Sequence, residues 1–458
     1  MFFNSYEFLF GFLPAVCIVY FLLRRSPRIG TWWMVAASLF FYSRYRFDYL
    51  ALLIVSILWN YLISFVILRR KGKPGFLILG ISVNLLVLGL FKYSRMLAPA
   101  LQTFHLPASI SDLAFPLGIS FFTFSQIAYL VDVYRGDDSP SAIRDYALFV
   151  AFFPHLLSGP ILRHREMVPQ FDSALRRRII PRYFARGLSL IVIGLAKKTL
   201  IADSLAPLAA KAFDSPGMLD SATAWLGSTA YTFQLYNDFS GYCDIALGVS
   251  FLFNLRIPEN FRAPYRSTSI QEFWQRWHIT LGRFFRNYVF FPLGGSRVKF
   301  YRQFPAIIIT FVLVGLWHGV GWTFLLWGTL HGVALAIQVL WRRLRIRLPS
   351  FAGWALTFAF VDLTWVVFRA PDLPTMVKVW RAMFSGLPKF PIPSALANAD
   401  PAQLALLAAI LLAAIPAYSF TIAQRMKPRL WTAALGALLL TTIVLRFASV
   451  SYFLYAFF

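Results

Sequence analysis

Two histidines lie where a long apolar chain turns abruptly polar and aromatic, and both are suited to moving a proton near neutral pH. His318 sits in Gly315-Leu316-Trp317-His318-Gly319-Val320-Gly321-Trp322. Glycines on both sides permit tight turns and close approach to a ligand, while Trp317 and Trp322 shape the walls. An imidazole held there can act as a general base; the alternative is a packing histidine. His278 lies in Ser269-Ile270-Gln271-Glu272-Phe273-Trp274-Gln275-Arg276-Trp277-His278-Ile279-Thr280-Leu281. It either lines a cavity beneath this segment or is an interfacial histidine tied to a backbone carbonyl. His331, within Trp322–Leu340, reads as a helix-packing residue, and His105, His155 and His164 stand in no constellation.

Carboxylates form a third candidate group. The run Tyr236-Asn237-Asp238-Phe239-Ser240-Gly241-Tyr242-Cys243-Asp244 places Asp238 and Asp244 in the middle of an apolar stretch. A charge at the bilayer centre costs about 2.5–3.5 kcal/mol on insertion scales. These residues must therefore face protein or a hydrated cavity, either joining helices through polar and small-residue contacts or lining a substrate cavity.

Positioning these groups requires helices. Ile270, Phe273, Trp274, Trp277, Leu281, Phe284, Phe285 and Tyr288 recur at the i, i+3, i+4, i+7 spacing of one helical face, with Arg276, Arg283 and Arg286 on the other. This pattern predicts a helix along the interface, aromatic side down and basic side to water. The arginines either grip anionic lipid headgroups or guide a phosphorylated cofactor, since guanidinium matches phosphate bidentately.

The composition sets these elements in a membrane. Of 458 residues, 59% are hydrophobic and 14% charged; soluble domains run at roughly 45–50% and 25%. This excludes a water-soluble protein and disorder alike. The net charge of +25 is no sign of nucleic acid, because the basic residues sit in short clusters between apolar runs rather than on one soluble face. The pattern is that of a multi-pass membrane protein with positive cytoplasmic loops. Cys17 and Cys243 lie in apolar stretches and offer neither a disulfide framework nor a metal spacing.

Runs of about 17–25 apolar residues are candidate spans. They are Phe8–Leu23, Gly30–Ser43, Tyr49–Leu68, Gly75–Phe91, Phe115–Val133, Ala185–Ile201, Ala222–Phe253, Pro305–Trp317, Trp322–Leu340, Phe351–Phe368, Gln403–Phe420 and Leu430–Leu445. Tyr146–Leu162, broken by Pro-His and Ser-Gly-Pro, reads as a re-entrant helix, which survives at membrane depth only inside protein or beside a water-filled cavity. With about twelve crossings and both termini outside, the basic clusters Arg24–Arg28, Arg69–Lys73, Arg163–Arg186, Arg256–Arg302, Arg342–Arg347 and Arg425–Arg429 all fall on the cytoplasmic face. The charges after Leu23 argue against a cleaved signal peptide. Ala370–Asp400 is the longest outer loop, and the aromatic tail Ser451–Phe458 either docks a partner or anchors at the interface. The whole chain reads as a single all-α unit, 1–458.

Several blocks in order resemble the membrane-bound O-acyltransferase (MBOAT) family, in particular its bacterial alginate O-acetyltransferase branch. They are Phe115–Phe122, Pro154–Pro160 (PHLLSGP), Asp238–Tyr242, Asn260–Tyr265 (NFRAPY), Phe273–Thr280 (FWQRWHIT), Phe291–Gly295 and Gly315–Gly319 (GLWHG), within a motif core of about residues 110–335. The resemblance implies a multi-helix inner-membrane enzyme around a tunnel, with His318 at the position of the family's catalytic histidine and His278 at that of a supporting one. It implies an acyl thioester, acetyl-CoA, entering from the cytoplasm, with no tightly bound cofactor and no metal. The acceptor is a hydroxyl at the outer face, commonly supplied by an auxiliary extracytoplasmic acetyltransferase that modifies an alginate-like exopolysaccharide beside synthesis and secretion proteins. Arg276, Trp274, Trp277, Asp238, Asn287 and Trp317 are the expected substrate-binding residues, His318 the general base, and His278 the donor-orienting or oxyanion-stabilising group. Three positions depart from the branch: Asn287 replaces a usual Asp, Cys243 a usual Ser and His155 a usual Gln.

Other readings of the same pattern are peptidoglycan O-acetylation and D-alanyl transfer to teichoic acid, the latter needing a carrier-protein docking surface. A secondary transporter would show paired repeats and discontinuous helices in corresponding halves; no such repeat is evident. A secretion-complex scaffold would tolerate loss of both histidines.

Overall fold

Every one of the apolar runs falls on helix in the computed structural model, and no strand occurs among the described residues. The structure describes residues 1–70, 72–103, 115–176, 178–214, 217–345, 348–386, 400–415, 417–426, 429–446 and 453–454. His105, residues 387–399 of the expected Ala370–Asp400 loop and most of the Ser451–Phe458 tail lie outside the described residues; the first part of that loop forms a helix, Leu373–Met383. In chain order the helices are α1 (Glu7–Arg25), α2 (Pro27–Ser43), α3 (Asp48–Arg69), α4 (Pro74–Thr103), α5 (Ile119–Arg135), α6 (Ile143–Ala151), α7 (Phe153–Leu156) and α8 (His164–Arg176). There follow α9 (Pro181–Ala196), α10 (Asp203–Phe213), α11 (Ser221–Leu252), α12 (Ile270–Arg276), α13 (Ile279–Phe285), α14 (Phe300–His318), α15 (Trp322–Arg343) and α16 (Ser350–Arg369). The last are α17 (Leu373–Met383), α18 (Pro401–Ala414), α19 (Ser419–Arg425) and α20 (Leu430–Leu445).

Among the described residues α1, α3, the Pro74–Ser94 part of α4, α15 and α16 are each long and apolar enough to cross a membrane alone, and α18 with α19, bent by 69°, forms a sixth candidate. That is fewer than the twelve crossings the hydropathy count suggested. The other runs are helical but shorter or more polar. α5, with 17 residues, is short for a span standing alone, and both α5 and α11 are buried over most of their length. A helix enclosed by other helices does not meet lipid, so its polar residues answer to neighbours rather than to hydrocarbon.

Small residues let the central helices approach. A Cβ at Gly187 of α9 would stand 2.7 Å from the Gly248 carbonyl oxygen of α11, and one at Gly194 would stand 2.5 Å from that of Gly241. α14 and α15 form a similar hairpin: a Cβ at Gly315 would meet the Phe324 oxygen at 2.3 Å, and one at Gly328 the Phe311 oxygen at 2.3 Å. Substituting these glycines forces the helix axes apart.

Tyr146–Leu162 is broken, as expected: α6 ends at Ala151, α7 is a single turn, and residues 146–162 are buried throughout. Protein thus surrounds the irregular backbone. Phe453, from the C-terminal tail, is 1% exposed and packs its ring 5.1 Å from that of Tyr242. The described part of the tail anchors within the chain itself.

The interfacial segment differs from its expected form. The periodicity from Ile270 to Tyr288 predicts one helix, whereas the structure breaks it into α12 and α13, followed by a wide π turn at Arg286–Phe290. The break lies at Trp277-His278, where His278 adopts left-handed φ 42°, ψ 53°. The interrupted hydrogen bonds go to the extended stretch before α12: Arg262 N–H donates to the Arg276 carbonyl at 3.0 Å, and Ile279 N–H to the Asn260 carbonyl at 3.0 Å. Apolar spacing is nearly preserved across so short a break, so periodicity does not register it.

Candidate active site

The αL conformation turns His278 inward from the junction of two short helices. It is fully buried rather than at the border of an apolar face. Its Nδ1 lies 3.2 Å from Asn260 Oδ1, which also accepts the Thr280 N–H at 3.1 Å and the Thr280 hydroxyl at 2.9 Å. A backbone N–H needs an acceptor, which fixes the Asn260 amide oxygen on this side; its Nδ2 faces Cys243 Sγ at 3.4 Å. In neutral His278 the proton therefore sits on Nδ1 and the lone pair on Nε2. The tie is to a side-chain amide, not to a backbone carbonyl. The ring's Nδ1 is thereby engaged by Asn260.

His318 is the last residue of α14 and is 2% exposed. Its ring lies among Trp317, Trp327 and Phe368, with centroids at 4.7, 5.1 and 5.2 Å. Trp317 connects the two histidines: His278 stands edge-on to its indole at 6.1 Å. His318 is also close enough to His278, Lys92 and His331 for each to act on it electrostatically. The structure thus brings together His318, His278 and Trp317, residues from the end of α14 and from the α12–α13 junction.

His331 is a packing residue, as expected. Trp274 Nε1 donates to its Nδ1 at 3.2 Å, and its Nε2 faces Thr364 Oγ1 at 3.1 Å while that hydroxyl donates to Val361. The ring fastens α12 to α15 and α16. Trp277 is 1% exposed and stacked among Phe273, Phe261 and Trp365, so it is a wall of the core.

A cavity of 760 Å³ opens at the basic end of α14 and α15. Arg283, Arg286, Arg342 and Arg343 line it, together with Gln271, Trp274 and Gln275 of α12 and with Thr310, Phe311 and Val314 of α14. It reaches Ile279, next to His278, and Val314, one turn before His318; neither imidazole is itself among its lining residues. The geometry is therefore a half-passage ending against the two histidines, where the resemblance implied a tunnel.

Arg276 lies apart from it. Its guanidinium binds Glu272 at 2.6 Å and the Arg262 carbonyl at 3.3 Å. Burial raises the Glu272 carboxyl, but the Thr268 N–H and hydroxyl and the Arg276 charge outweigh it and hold the group below its usual range. Asn287 is also elsewhere: its carbonyl accepts from Arg135, and it lines a second cavity of 430 Å³ with Asp132, Arg163 and Arg165.

The mid-helix carboxylates are matched by cations that the residue-by-residue reading did not connect with them. Lys198 Nζ lies 2.8 Å from both Asp238 and Asp203, and Lys197 Nζ lies 2.8 Å from Asp244. Through Lys198, Asp238 joins α11 to the turn after α9 and to the start of α10. His164 also has partners that sequence spacing missed: Ser141 Oγ at 2.9 Å from Nε2 and Asp138 at 3.0 Å from Nδ1. Tyr129 and Phe149 enclose that ring, and the cluster ties the Asp138–Ser141 turn to the start of α8.

Residues 29–358 match the membrane-bound O-acyltransferase (MBOAT) family. A peptidoglycan O-acetyltransferase of Helicobacter pylori is 41% identical over 420 residues, covering 83% of this chain and 79% of that protein. A protein named "Probable alginate O-acetylase AlgI" from Azotobacter vinelandii is 41% identical over 402 residues, covering 84% and 78%. A teichoic acid D-alanyltransferase of Bacillus subtilis is 29% identical over 335 residues, covering 68% and 82%. With a buried histidine pair at the end of a basic cavity and a family match over more than half its length, this chain belongs to the membrane-bound O-acyltransferase family and is a membrane-integral acyltransferase.

Proposed function

We propose that the chain transfers an acetyl group from cytoplasmic acetyl-CoA to a hydroxyl at the outer face of the bacterial inner membrane, for O-acetylation of an alginate-like exopolysaccharide. The observation that carries this reading is the basic cavity ending at Ile279 and Val314, beside the two histidines. Arg283, Arg286, Arg342 and Arg343 suit the phosphates of the donor, and the apolar wall of α14 suits its thioester arm. The acceptor hydroxyl approaches from the glycine-flanked end of α14.

His318 takes the proton of that hydroxyl as its oxygen attacks the thioester carbonyl. The carbon–sulfur bond then breaks, and the leaving thiolate recovers the proton from the imidazolium. Positioned proton transfer of this kind contributes about 10²–10⁴-fold, and alignment of donor with acceptor much of the rest. The tetrahedral oxyanion needs a donor. Trp317 Nε1 is buried and has no hydrogen-bond acceptor among the described residues, and its ring touches both imidazoles, so we assign it that role. His278, with its lone pair on Nε2, orients the acceptor. An auxiliary extracytoplasmic acetyltransferase and polysaccharide synthesis proteins are the proposed partners. The positive clusters support a topology with both termini outside.

A second reading has a specific support: the peptidoglycan O-acetyltransferase of Helicobacter pylori is as similar as the alginate protein of Azotobacter vinelandii. Membranes containing wild type or His318→Ala, given radiolabelled acetyl-CoA, test the chemistry. Label in envelope polysaccharide from wild type alone is expected, and equal labelling by His318→Ala would overturn it. Digestion of the product with alginate lyase or with lysozyme separates the two acceptors.

A further inference from the structure

The last turn of α14 presents a problem that its own sequence does not solve. A helix leaves its final carbonyls without intrahelical donors, and at membrane depth each such group costs several kcal/mol. α14 ends at His318, and the extended Gly319 that follows continues no helical ladder. Two consecutive residues of α4, distant in sequence, supply the missing donors. The Lys92 ammonium donates to the Trp317 carbonyl, and the Tyr93 hydroxyl donates to the Leu316 carbonyl at 2.6 Å. The carbonyls they engage belong to the two residues immediately before His318.

Lys92 does more than close a hydrogen bond. Its Nζ stands 5.5 Å from the centre of the Trp317 ring and 5.7 Å from that of Phe115, both within cation–π range. The Trp317 ring is the one that touches His318 and His278. A positive charge at a helix C-terminus also opposes the negative end of the helix dipole. One half-buried side chain thus fixes the carbonyl and the indole against which both imidazoles pack.

We propose that Lys92 and Tyr93 are positioning residues for His318, holding the terminal turn of α14 and the Trp317 indole in register with the reacting groups. This rests on the reading of His318 as the base, and it adds a requirement from a helix that supplies no catalytic group. A displacement near 1 Å at a reacting group costs as much as about 10²-fold in rate.

Acetyl transfer from radiolabelled acetyl-CoA, measured in membranes and normalised to the amount of folded protein, separates the possibilities. Lys92→Met is expected to lower kcat about 10-fold to 100-fold with the KM for acetyl-CoA within about twofold, because binding occurs in the basic cavity while alignment is lost beyond it. Lys92→Arg, which keeps the cation and its donors, is expected to recover most of kcat. Tyr93→Phe is expected to show the same split with a smaller loss. A Lys92→Met enzyme with wild-type kcat, beside an inactive His318→Ala, would overturn this inference alone, as would an Arg variant no better than Met. An active His318→Ala would remove the base itself and this inference with it. Should Lys92→Met fail to accumulate, Lys92→Arg and Tyr93→Phe decide: an unchanged kcat in Tyr93→Phe is the overturning result, and a lower kcat at constant KM the supporting one.

Discussion

Two regions of this molecule bury their polar groups in different ways. Between α9 and α11 every mid-helix carboxylate named above meets a lysine: Asp238 and Asp203 share Lys198, and Asp244 holds Lys197, which also donates to Ser240 and Ser419 at 2.9 Å. Around the end of α14 two imidazoles are instead enclosed by aromatic rings, with a cavity stopping beside them. A charge with its counter-charge a hydrogen bond away has no capacity left for a substrate. The His278 imidazole is instead held by a neutral amide, that of Asn260. Burial alone therefore does not mark function; the kind of partner does.

Substitutions can break this contrast. The largest effect on turnover is expected from His318→Ala, a loss of about 10²–10⁴-fold or more with unchanged thermal melting in detergent. If activity survives, the aromatic region is no more chemical than the ionic one. The opposite pattern is expected from Asp238→Asn. Removing one of the two carboxylates that share Lys198 leaves the lysine to Asp203 alone and destabilises by less than the about 3–5 kcal/mol of a fully broken buried pair, read as a lower melting temperature with turnover per folded molecule retained. A double change, Lys198→Met with Asp238→Leu, is expected to restore much of the stability, since well-packed apolar pairs often replace buried ions without loss.

Smaller effects sharpen the distinction within the aromatic region. Asn260→Leu removes the acceptor of His278 Nδ1–H; a buried hydrogen bond left unmade costs about 1–3 kcal/mol, so kcat is expected to fall roughly 10-fold to 100-fold. Thr364→Val leaves the His331 N–H without its partner at a similar cost, but here the loss is expected in melting temperature and not in kcat. The smallest difference is between two arginines. Arg286→Gln is expected to raise the KM for acetyl-CoA several-fold, on the order of the 1.5–3 kcal/mol of a charged hydrogen bond at most. Arg276→Gln, whose guanidinium is engaged by Glu272 outside the cavity, is expected to change it less than about twofold. Equal effects at the two positions would count against the cavity as the donor site.

Legibility in the sequence followed the range of the interaction. The apolar runs gave all the main helices because helix burial is written every three or four residues. The broken backbone at Tyr146–Leu162 was legible because proline and glycine act locally. His318 and His278 stood out through their motifs. Their relation to Lys92, Tyr93 and Asn260 did not, because those residues are joined to them only by the approach of other segments. The same holds for Lys197 and Lys198, whose ion pairs with Asp244 and Asp238 form only where α11 packs beside them. Hydropathy also measures contact with lipid, and α11 meets protein over most of its length instead.

What the sequence determined alone was therefore the class of molecule, a helical membrane acyltransferase, with two histidines singled out as candidates for its chemistry. Apolar periodicity and local turn chemistry act over a few residues and survive without knowledge of the rest of the chain. Only the tertiary structure decided which tautomer His278 holds, which arginines face the cavity and which carboxylates are occupied. Hydrogen bonds and ion pairs operate within about 3–4 Å, and residues far apart in the chain come within that distance only once the helices have packed.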